Sequence, residues 1–269
     1  MKILYVSQEM DPYTALSEIS EIFKKLPQKA QDNNIEIRVL MPKFGSINER
    51  RHRLHEVVRL SGMNIIVDDE DYPLIIKVAS VPGSRLQVYF LDNDEFFKRK
   101  AEFKDEDDVF FEDNEERTVF FCKGVIETVR KFGWPPDIIH CHGSFTALVP
   151  LFIRKVYHND PIFNFSKIIY SAYTDSIGAP FKKSFKDVAA INTLEEEDLL
   201  PFMDNGLVNL NKGAAHFSDG IILGSANVLS SLSGEESGKP LIDISESEDH
   251  LTETIAFYQQ FIEQEVDND

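Results

Sequence analysis

Two histidines flank a cysteine near the middle of the sequence, at His140, Cys141 and His142. Imidazole nitrogens and thiolates are ligands that zinc prefers, so the triplet could contribute to a metal site. It closes a largely apolar run, 137–142, that predicts a buried strand, in which successive side chains point to opposite faces. Cys141 would then point away from both histidines, and no further ligand lies at a suitable spacing. We therefore expect buried, hydrogen-bonded histidines and no bound metal.

Polar residues also accompany two other apolar runs that predict strands. Glu9 and Tyr13 follow the first run of the chain, 2–7, while Tyr173 and Thr174 end a later one. Ligands of parallel sheets gather at the carboxyl ends of the strands, and the predicted strand 137–142 with its tight exit at Gly143 is such an end. A tyrosine can hydrogen-bond a ligand or stack on it, but its pKa of about 10 makes it a poor proton shuttle at neutral pH.

The loop and helix after the first strand resemble the N-terminus of bacterial glycogen synthases and plant starch synthases. The family pattern there is E-x-x-P-[FY]-x-K-x-G-G-L-x-D-V-x-x-x-L-P. The residues that match it, with no insertion or deletion, are Glu9, Pro12, Tyr13, Leu26 and Pro27. The family's lysine falls on Ala15 and its aspartate on Glu21. Its glycine pair falls on Ser17 and Glu18.

These changes affect the part of the pattern that suits a sugar-nucleotide donor. A Lys-Gly-Gly loop before a helix can cradle a diphosphate, because glycine lets backbone N–H groups approach and the helix N-terminus favours anions. Here the cation is missing, and Glu18 puts a carboxylate where the diphosphate would lie. Two such anions repel by about 1 kcal/mol in water and by several times that where water is partly excluded. We instead expect Ser17 and Glu18 to cap and solvate the first helical turn.

Two further stretches carry the resemblance into the middle of the chain. Residues 137–148 resemble D-[VI]-[VI]-H-x-H-D-W-x-[ST]-A-L, with Gly143 and Ser144 in place of the aspartate and tryptophan. The run from Lys167 resembles K-x-V-[FY]-T-I-H-N. The histidine and asparagine of that pattern lie at the family's sugar-transfer site, and they fall here on Tyr173 and Thr174. Further similar segments at 88–97, 113–121 and 211–225 extend the resemblance over roughly residues 2–225.

The resemblance implies a set of site residues. The substrate-binding candidates are Glu9, Tyr13, Asp137, His142, Tyr173 and Thr174. The catalytic candidates are Glu9, His142 and Tyr173. Because tyrosine replaces the family's histidine, we expect contact with carbohydrate to be better preserved than catalysis. No cofactor is implied.

Strand-like and helix-like segments alternate along the chain, which predicts an α/β fold: a Rossmann-like parallel sheet with helices on both faces. The resemblance makes this the N-terminal half of a GT-B glycosyltransferase. The predicted strands are 2–7, 35–41, 74–81, 86–91, 137–142, 167–173 and 220–224, and the predicted helices are 18–33, 115–132 and 146–157. The segment 48–71 predicts an inserted hairpin or flap.

Residues 1–240 are predicted to form this domain, and 241–269 an acidic amphipathic helix docked on it. The predicted apolar stripe of that helix is Leu251, Ile255, Tyr258, Ile262 and Val266. Ser245 followed by Glu248 predicts a capping box at its start. The family's second domain, which supplies its donor-gripping residues, has no counterpart after Ser225.

Charge and composition restrict the partners of the chain. Among 269 residues, 46 acids against 28 bases give a net charge of −18, which opposes binding to nucleic acid and to anionic membranes. No stretch approaches the roughly 20 apolar residues of a membrane span. With only Cys122 and Cys141, we expect a reduced, cytoplasmic protein. The arginines of 49–53 could hold a phosphate, but a solvated surface paired with the many nearby acids is the preferred interpretation.

Three functions are compatible with these features. The first is an α-glucan-associated, acceptor-side protein with weak or no glucosyl transfer of its own. The second is a glucosyltransferase half, using ADP-glucose or UDP-glucose, that a separate chain or a homodimer completes. The third is an interaction module that recruits a protein partner through its acidic helix. The lost lysine, Gly-Gly, Asp-Trp and His-Asn features favour the first and third.

Overall fold

The computed structural model describes residues 1–174, 177, 185–189 and 194–266. The strands in these ranges are β1 (Lys2–Ser7), β2 (Glu36–Pro42), β3 (His55–Glu56), β4 (Met63–Val67), β5 (Glu70–Ser80), β6 (Gln87–Asp92), β7 (Ile138–His142), β8 (Lys167–Ala172), β9 (Met203–Asp204), β10 (Leu207–Val208), β11 (Gly220–Leu223) and β12 (Leu241–Asp243). The helices are α1 (Glu18–Asp32), α2 (Glu49–His52), α3 (Asp94–Phe97), α4 (Asn114–Phe132), α5 (Leu148–Lys155), α6 (Phe185–Ala189), α7 (Leu210–Phe217) and α8 (His250–Val266).

Most of these strands form one sheet in the order β12-β11-β8-β7-β1-β2-β6-β5-β3, with β4 also paired to β5. The seven strands from β12 to β6 run parallel, whereas β5 runs antiparallel to β6. The central strands β1, β7 and β8 are buried almost throughout, as parallel strands covered on both faces must be. The predicted Rossmann-like α/β fold is therefore confirmed, with the difference that the sheet is mixed at one side.

Side-chain alternation in β7 shows which helices cover each face. His140 points toward α8, where it contacts Tyr258, and the neighbouring Tyr5 of β1 packs between Tyr258 and Phe23 of α1. Cys141 points the other way, toward Cys122 of α4. Helices α1 and α8 thus lie on one face and α4 on the other, because successive strand residues alternate in direction.

The predicted inserted hairpin is formed by β4 and β5, joined at Asp68 and Asp69. Both turn residues have positive φ, 48° and 61°, as a two-residue type I′ connection requires. Strand β5 continues beyond the hairpin and pairs with β6 from Ile75 to Ser80. The insertion is therefore an extension of the main sheet and not a separate flap.

The C-terminal segment differs from the sequence-based prediction in its first part. Leu241–Asp243 forms the edge strand β12 beside β11, and the helix begins only at His250. Ser245 does not start a capping box, because its hydroxyl and its N–H both donate to the Asp243 carboxylate, which lies two residues away. No helix in the described ranges is long and apolar enough to cross a membrane.

Helix α8 packs tightly on the sheet. The stripe residues Ile255 and Tyr258 are buried as predicted, and Phe257 and Phe261 are buried with them. The two phenylalanines lie over Gly220 at the start of β11, where an added Cβ would be 2.4 Å from the Phe261 ring. This close approach places the Tyr258 hydroxyl within reach of the central strands.

Candidate functional site

Five of the six predicted substrate contacts lie toward one edge of the sheet. Because β1, β7, β8 and β11 are parallel neighbours, their carboxyl ends meet there. Glu9 and Tyr13 belong to the loop leaving β1, His142 ends β7, and Tyr173 and Thr174 follow β8. The described residues of the loops that leave these strands define what we call the candidate cleft.

Asp137 does not belong to this group. It precedes the amino end of β7, about 16 Å from the carboxyl end at the usual strand rise of about 3.3 Å per residue. Its carboxylate accepts a hydrogen bond from the Lys2 backbone at 2.7 Å and lies 3.9 Å from the N-terminal amine. The structure thus places Asp137 away from the candidate cleft, where its carboxylate joins the amino ends of β1 and β7.

Glu9 is buried and engaged by its own loop. One carboxylate oxygen accepts from the backbone N–H groups of Leu16 at 2.5 Å and Ser17 at 2.9 Å, and the other accepts from the Ser17 hydroxyl at 2.5 Å. Ser17 in turn caps α1 by accepting from the Ile19 N–H at 3.2 Å. Glu9 thus holds the loop that leads into α1, as a carboxylate facing three internal donors.

Glu18 ties the start of α1 to two other strand exits. The Ser225 hydroxyl, after β11, donates to the Glu18 carboxylate, and the Thr174 N–H, after β8, donates to the same Ser225 oxygen at 3.1 Å. Ala15 and Glu18 are exposed. The Glu18 carboxylate therefore lies at the mouth of the candidate cleft, where the Ser225 hydroxyl donates to it and the Thr174 N–H donates to Ser225.

The space beside Gly143 is filled. Gly143 has φ 81° and ψ 166°, a region that glycine alone occupies readily. An added Cβ would lie 2.6 Å from the Gln8 side-chain oxygen and 2.9 Å from the end of Ile19. The same Gln8 oxygen accepts from the Phe145 N–H at 3.2 Å. Sequence reasoning missed Gln8, although its place directly after a buried strand was a signal that it would face this edge.

The two histidines of β7 are buried, and their hydrogen bonding differs. His140 bonds the Tyr258 hydroxyl at 2.6 Å through Nδ1 and the Ser171 hydroxyl at 2.7 Å through Nε2. His142 bonds the Tyr173 hydroxyl at 3.2 Å through Nδ1, while its Nε2 has no partner among the described residues. The expectation of hydrogen-bonded histidines is therefore met fully by His140 and only half by His142.

Burial also sets the protonation of these groups. It lowers the pKa of His140 to about 3 and that of His142 well below its usual value, the latter with help from neighbouring His140. Both rings are neutral at pH 7, so neither supplies a cation to a ligand. Burial raises the pKa of the Cys141 thiol, which disfavours the thiolate that a metal needs. Within the described ranges no group of three or more potential ligands is placed to hold a metal.

The two tyrosines are less accessible than a stacking surface would be. Tyr173 is fully buried, and its ring lies so close to Gly224 that a Cβ there would be 2.2 Å away. Tyr13 is 6% exposed and packs edge-on against His52 and Phe90, with centroids 5.0 and 4.9 Å away. Its hydroxyl has no partner in the described ranges, and burial raises its pKa to about 12.

We expect the buried neutral histidines to make folding stability depend on pH. Below pH 6.5 the histidines of the unfolded chain bind protons, whereas buried His140 and His142 of the folded chain stay neutral. The free energy of unfolding therefore falls as the pH falls toward the low folded pKa values. His140, whose folded pKa is about 3, should cost about 2 kcal/mol between pH 7 and 5, and His142 should act in the same direction. Urea unfolding of His140→Gln should show a shallower loss than the wild type, with exposed His55→Gln as the control. Equal slopes in His140→Gln and wild type would contradict this assignment.

Comparison with known proteins places the chain in a family. The family described as starch synthase catalytic domain matches residues 2–245. The glycogen synthase of Chlorobium limicola is 38% identical over 185 residues, which are 67% of this chain and 38% of that protein. The glycogen synthase of Chlorobium phaeobacteroides is 36% identical over 202 residues, 75% of this chain and 37% of that protein. The chain thus spans less than two fifths of the length of these curated relatives.

A solved structure supports the same fold. The catalytic domain of starch synthase IV from Arabidopsis thaliana, bound to ADP and acarbose, superposes with a TM-score of 0.73 at 20% identity. The match covers 90% of this chain and 50% of that chain. With the parallel sheet and the matched loop after β1, these comparisons show that the chain belongs to the starch synthase catalytic domain family of glycogen and starch synthases.

Proposed function

We propose that this chain is an acceptor-side protein of α-glucan metabolism that binds glycogen or maltooligosaccharides and transfers little or no glucose on its own. The proposal rests on the contacts that close the start of helix α1. Glu18 is bound to Ser225 there, and Gln8 and Ile19 occupy the space beside Gly143. Family membership supplies the substrate class, and this closure argues against a bound donor.

A sugar nucleotide requires cations and free backbone donors for its diphosphate. At the position of the family's lysine this chain has Ala15, and the N–H groups of Leu16 and Ser17 already donate to Glu9. The Glu18 carboxylate would lie against the incoming phosphates. Binding a diphosphate here would therefore require breaking internal hydrogen bonds, with no lysine at position 15 to compensate for them.

The three catalytic candidates are buried or already hydrogen-bonded within the chain. Glu9 is surrounded by its own donors, His142 is neutral and 1% exposed, and Tyr173 is fully buried. A group that moves a proton must reach the reacting atom at hydrogen-bonding distance. A role in contacting carbohydrate is better supported for Leu16 and Thr174, which are exposed at the mouth of the candidate cleft.

We expect the purified chain to be retarded by glycogen in affinity electrophoresis and to show no glucose transfer from ADP-glucose or UDP-glucose to glycogen. Retardation without transfer would support the proposal. Absence of retardation would favour a protein-interaction module. Transfer above background would contradict the proposal and favour a glucosyltransferase that is complete as a dimer or with another chain.

A gain-of-binding variant tests the reason for the lost donor site. Ala15→Lys/Ser17→Gly/Glu18→Gly restores the family's cradle and should bind ADP-glucose more tightly than the wild type in calorimetric titration. Ala256→Lys/Glu253→Gln makes the same change in net charge at exposed positions on α8 and serves as the matched control. Equal affinity of the two variants would show that the cradle residues are not the cause.

A further inference from the structure

The short helix after β2 carries an arginine cluster, which we define as Arg50, Arg51 and Arg53. All three side chains are exposed. Within the part of the chain that the structure describes, none of the three forms an ion pair with a carboxylate. The exposure of the three arginines agrees with the solvated surface that the sequence predicts, whereas the predicted pairing with nearby acids is absent within the described residues.

The acid beside the cluster in the sequence is already paired with lysines. Glu49, in the same helix, lies 2.7 Å from the Lys43 ammonium and 2.8 Å from that of Lys77. Lys77 also lies 2.8 Å from the nearly buried Asp92 carboxylate. Because these carboxylates are committed to lysines, the positive charge of the arginine cluster is left facing solvent. In physiological salt this local potential extends about 8 Å, so it acts despite the net charge of −18.

The arginine cluster borders the candidate cleft. Its helix follows the carboxyl end of β2, the neighbour of β1, and the His52 ring packs edge-on against Tyr13 at 5.0 Å. Arg51 lies near enough to His52 to contribute, after burial, to the lowered pKa of that ring. The hydroxyl of this Tyr13 is buried and has no partner among the described residues.

A second loop adds positive charge to this border. The backbone at Gly45 is so close to that of Lys98 and Arg99 that an added Cβ would be 2.3 Å from both carbonyl oxygens. Lys98 and Lys100 of this loop are exposed, and the Ser46 hydroxyl, next to Gly45, donates to the Glu102 carboxylate at 2.5 Å, so the loop brings an acid as well as two lysines. The phosphate contact proposed below therefore rests on the arginine cluster alone.

We propose that the arginine cluster binds the phosphate group of a sugar phosphate or of a phosphorylated α-glucan at the border of the candidate cleft. Guanidinium groups match phosphate oxygens in bidentate hydrogen bonds, which a lysine cannot form. A nucleic acid is disfavoured as the phosphate source because the overall charge of the chain repels a polyanion. The glucan part of this proposal rests on the proposed function above, whereas the phosphate contact does not.

The test is calorimetric titration of the full chain with inorganic phosphate, glucose 6-phosphate, maltoheptaose and phosphorylated maltoheptaose. We expect both phosphorylated sugars to bind, with affinity that falls as salt rises. Arg50→Gln/Arg51→Gln/Arg53→Gln should weaken this binding about tenfold or more, and the corresponding triple lysine variant should retain part of it. The control Lys25→Gln/Arg85→Gln/Lys131→Gln removes three exposed charges elsewhere and should bind like the wild type.

Each outcome separates the two proposals. Tighter binding of phosphorylated maltoheptaose than of glucose 6-phosphate identifies a glucan as the source of the phosphate, and equal affinity identifies a free sugar phosphate. If glucose 6-phosphate binds through the arginine cluster while neither maltoheptaose nor glycogen binds, the phosphate site stands and the glucan function fails. Wild-type affinity in the triple glutamine variant, or absence of binding by every phosphate probe, overturns the phosphate site.

Discussion

Gly143→Asp, which restores the family's aspartate, is expected to destabilise the fold by more than about 4 kcal/mol. A residue with a Cβ is strained at φ 81° and ψ 166°, and the new Cβ would meet Gln8 at 2.6 Å. The carboxylate would also be buried without a cationic partner, which adds a desolvation cost. Equilibrium urea unfolding measures the loss, and thermal unfolding followed by circular dichroism checks that the variant still folds.

Two variants separate the causes of this effect. Gly143→Ala adds the Cβ without the charge and should account for about 2–3 kcal/mol through strain and overpacking. Gln8→Ala removes the clashing side chain, so the double variant Gln8→Ala/Gly143→Ala should be more stable than the two single losses predict by addition. Simple additivity of the two losses, or a stable Gly143→Asp variant, would show that Gln8 does not fill the space beside Gly143.

Tyr258→Ala is expected to cost about 4 kcal/mol or more and to loosen the C-terminal helix. The Tyr258 side chain is fully buried, with its ring against those of Tyr5 and His140 in the sheet, and removing an aromatic ring from such a position leaves a cavity. It also removes the partner of the His140 Nδ1 at 2.6 Å. Urea unfolding gives the free energy, and hydrogen exchange should show faster exchange of the amides of α8 and of the facing α1.

Matched variants on the same helix define the origin of this loss. Tyr258→Phe keeps the ring and removes the hydroxyl, so it should cost only about 1–3 kcal/mol, the price of an unpaired buried polar group. Gln259→Ala changes the exposed neighbour and should stay within about 0.5 kcal/mol of the wild type. If Tyr258→Ala were no more disruptive than Gln259→Ala, α8 would not be anchored through this residue.

The Gly143 and Tyr258 predictions both concern the packing around strand β7. Gln8 and Ile19 close the carboxyl edge of β7 from the α1 side, and Tyr258 anchors the strand at His140. A donor-binding cleft would need an accessible edge at this strand, and this chain has a packed one. The proposed loss of donor binding is therefore a property of packing as much as of missing residues.

The secondary structure followed closely from local patterns. Apolar runs such as 137–142 and 167–173 differ from the observed strands by one residue at an end, because burial on both faces demands an uninterrupted apolar segment. The predicted helix 18–33 also ends within one residue of α1, whose N-cap at Ser17 is encoded in the adjacent sequence. Elements whose signals lie within a few neighbouring residues were thus predictable.

Other parts of the structure depended on contacts between distant segments. The strand β12 carried too short a pattern to identify, and it exists because β11 offers a free edge. Asp137 matched a family motif, yet its carboxylate is used by the Lys2 backbone on the neighbouring strand. Nothing in the sequence indicated that Glu49, next to the arginine cluster, would pair with Lys43 and Lys77.

The amino-acid sequence by itself determined the α/β class, the family, the net negative charge and the loss of the lysine and glycines of the donor loop. Only the tertiary structure decided that Glu9 is occupied by internal donors and that Gln8 fills the space beside Gly143. The physical reason is the range of the interactions. Periodicity and capping act between near neighbours in the chain, whereas the partner of a buried polar group is whichever donor the packing brings within about 3 Å.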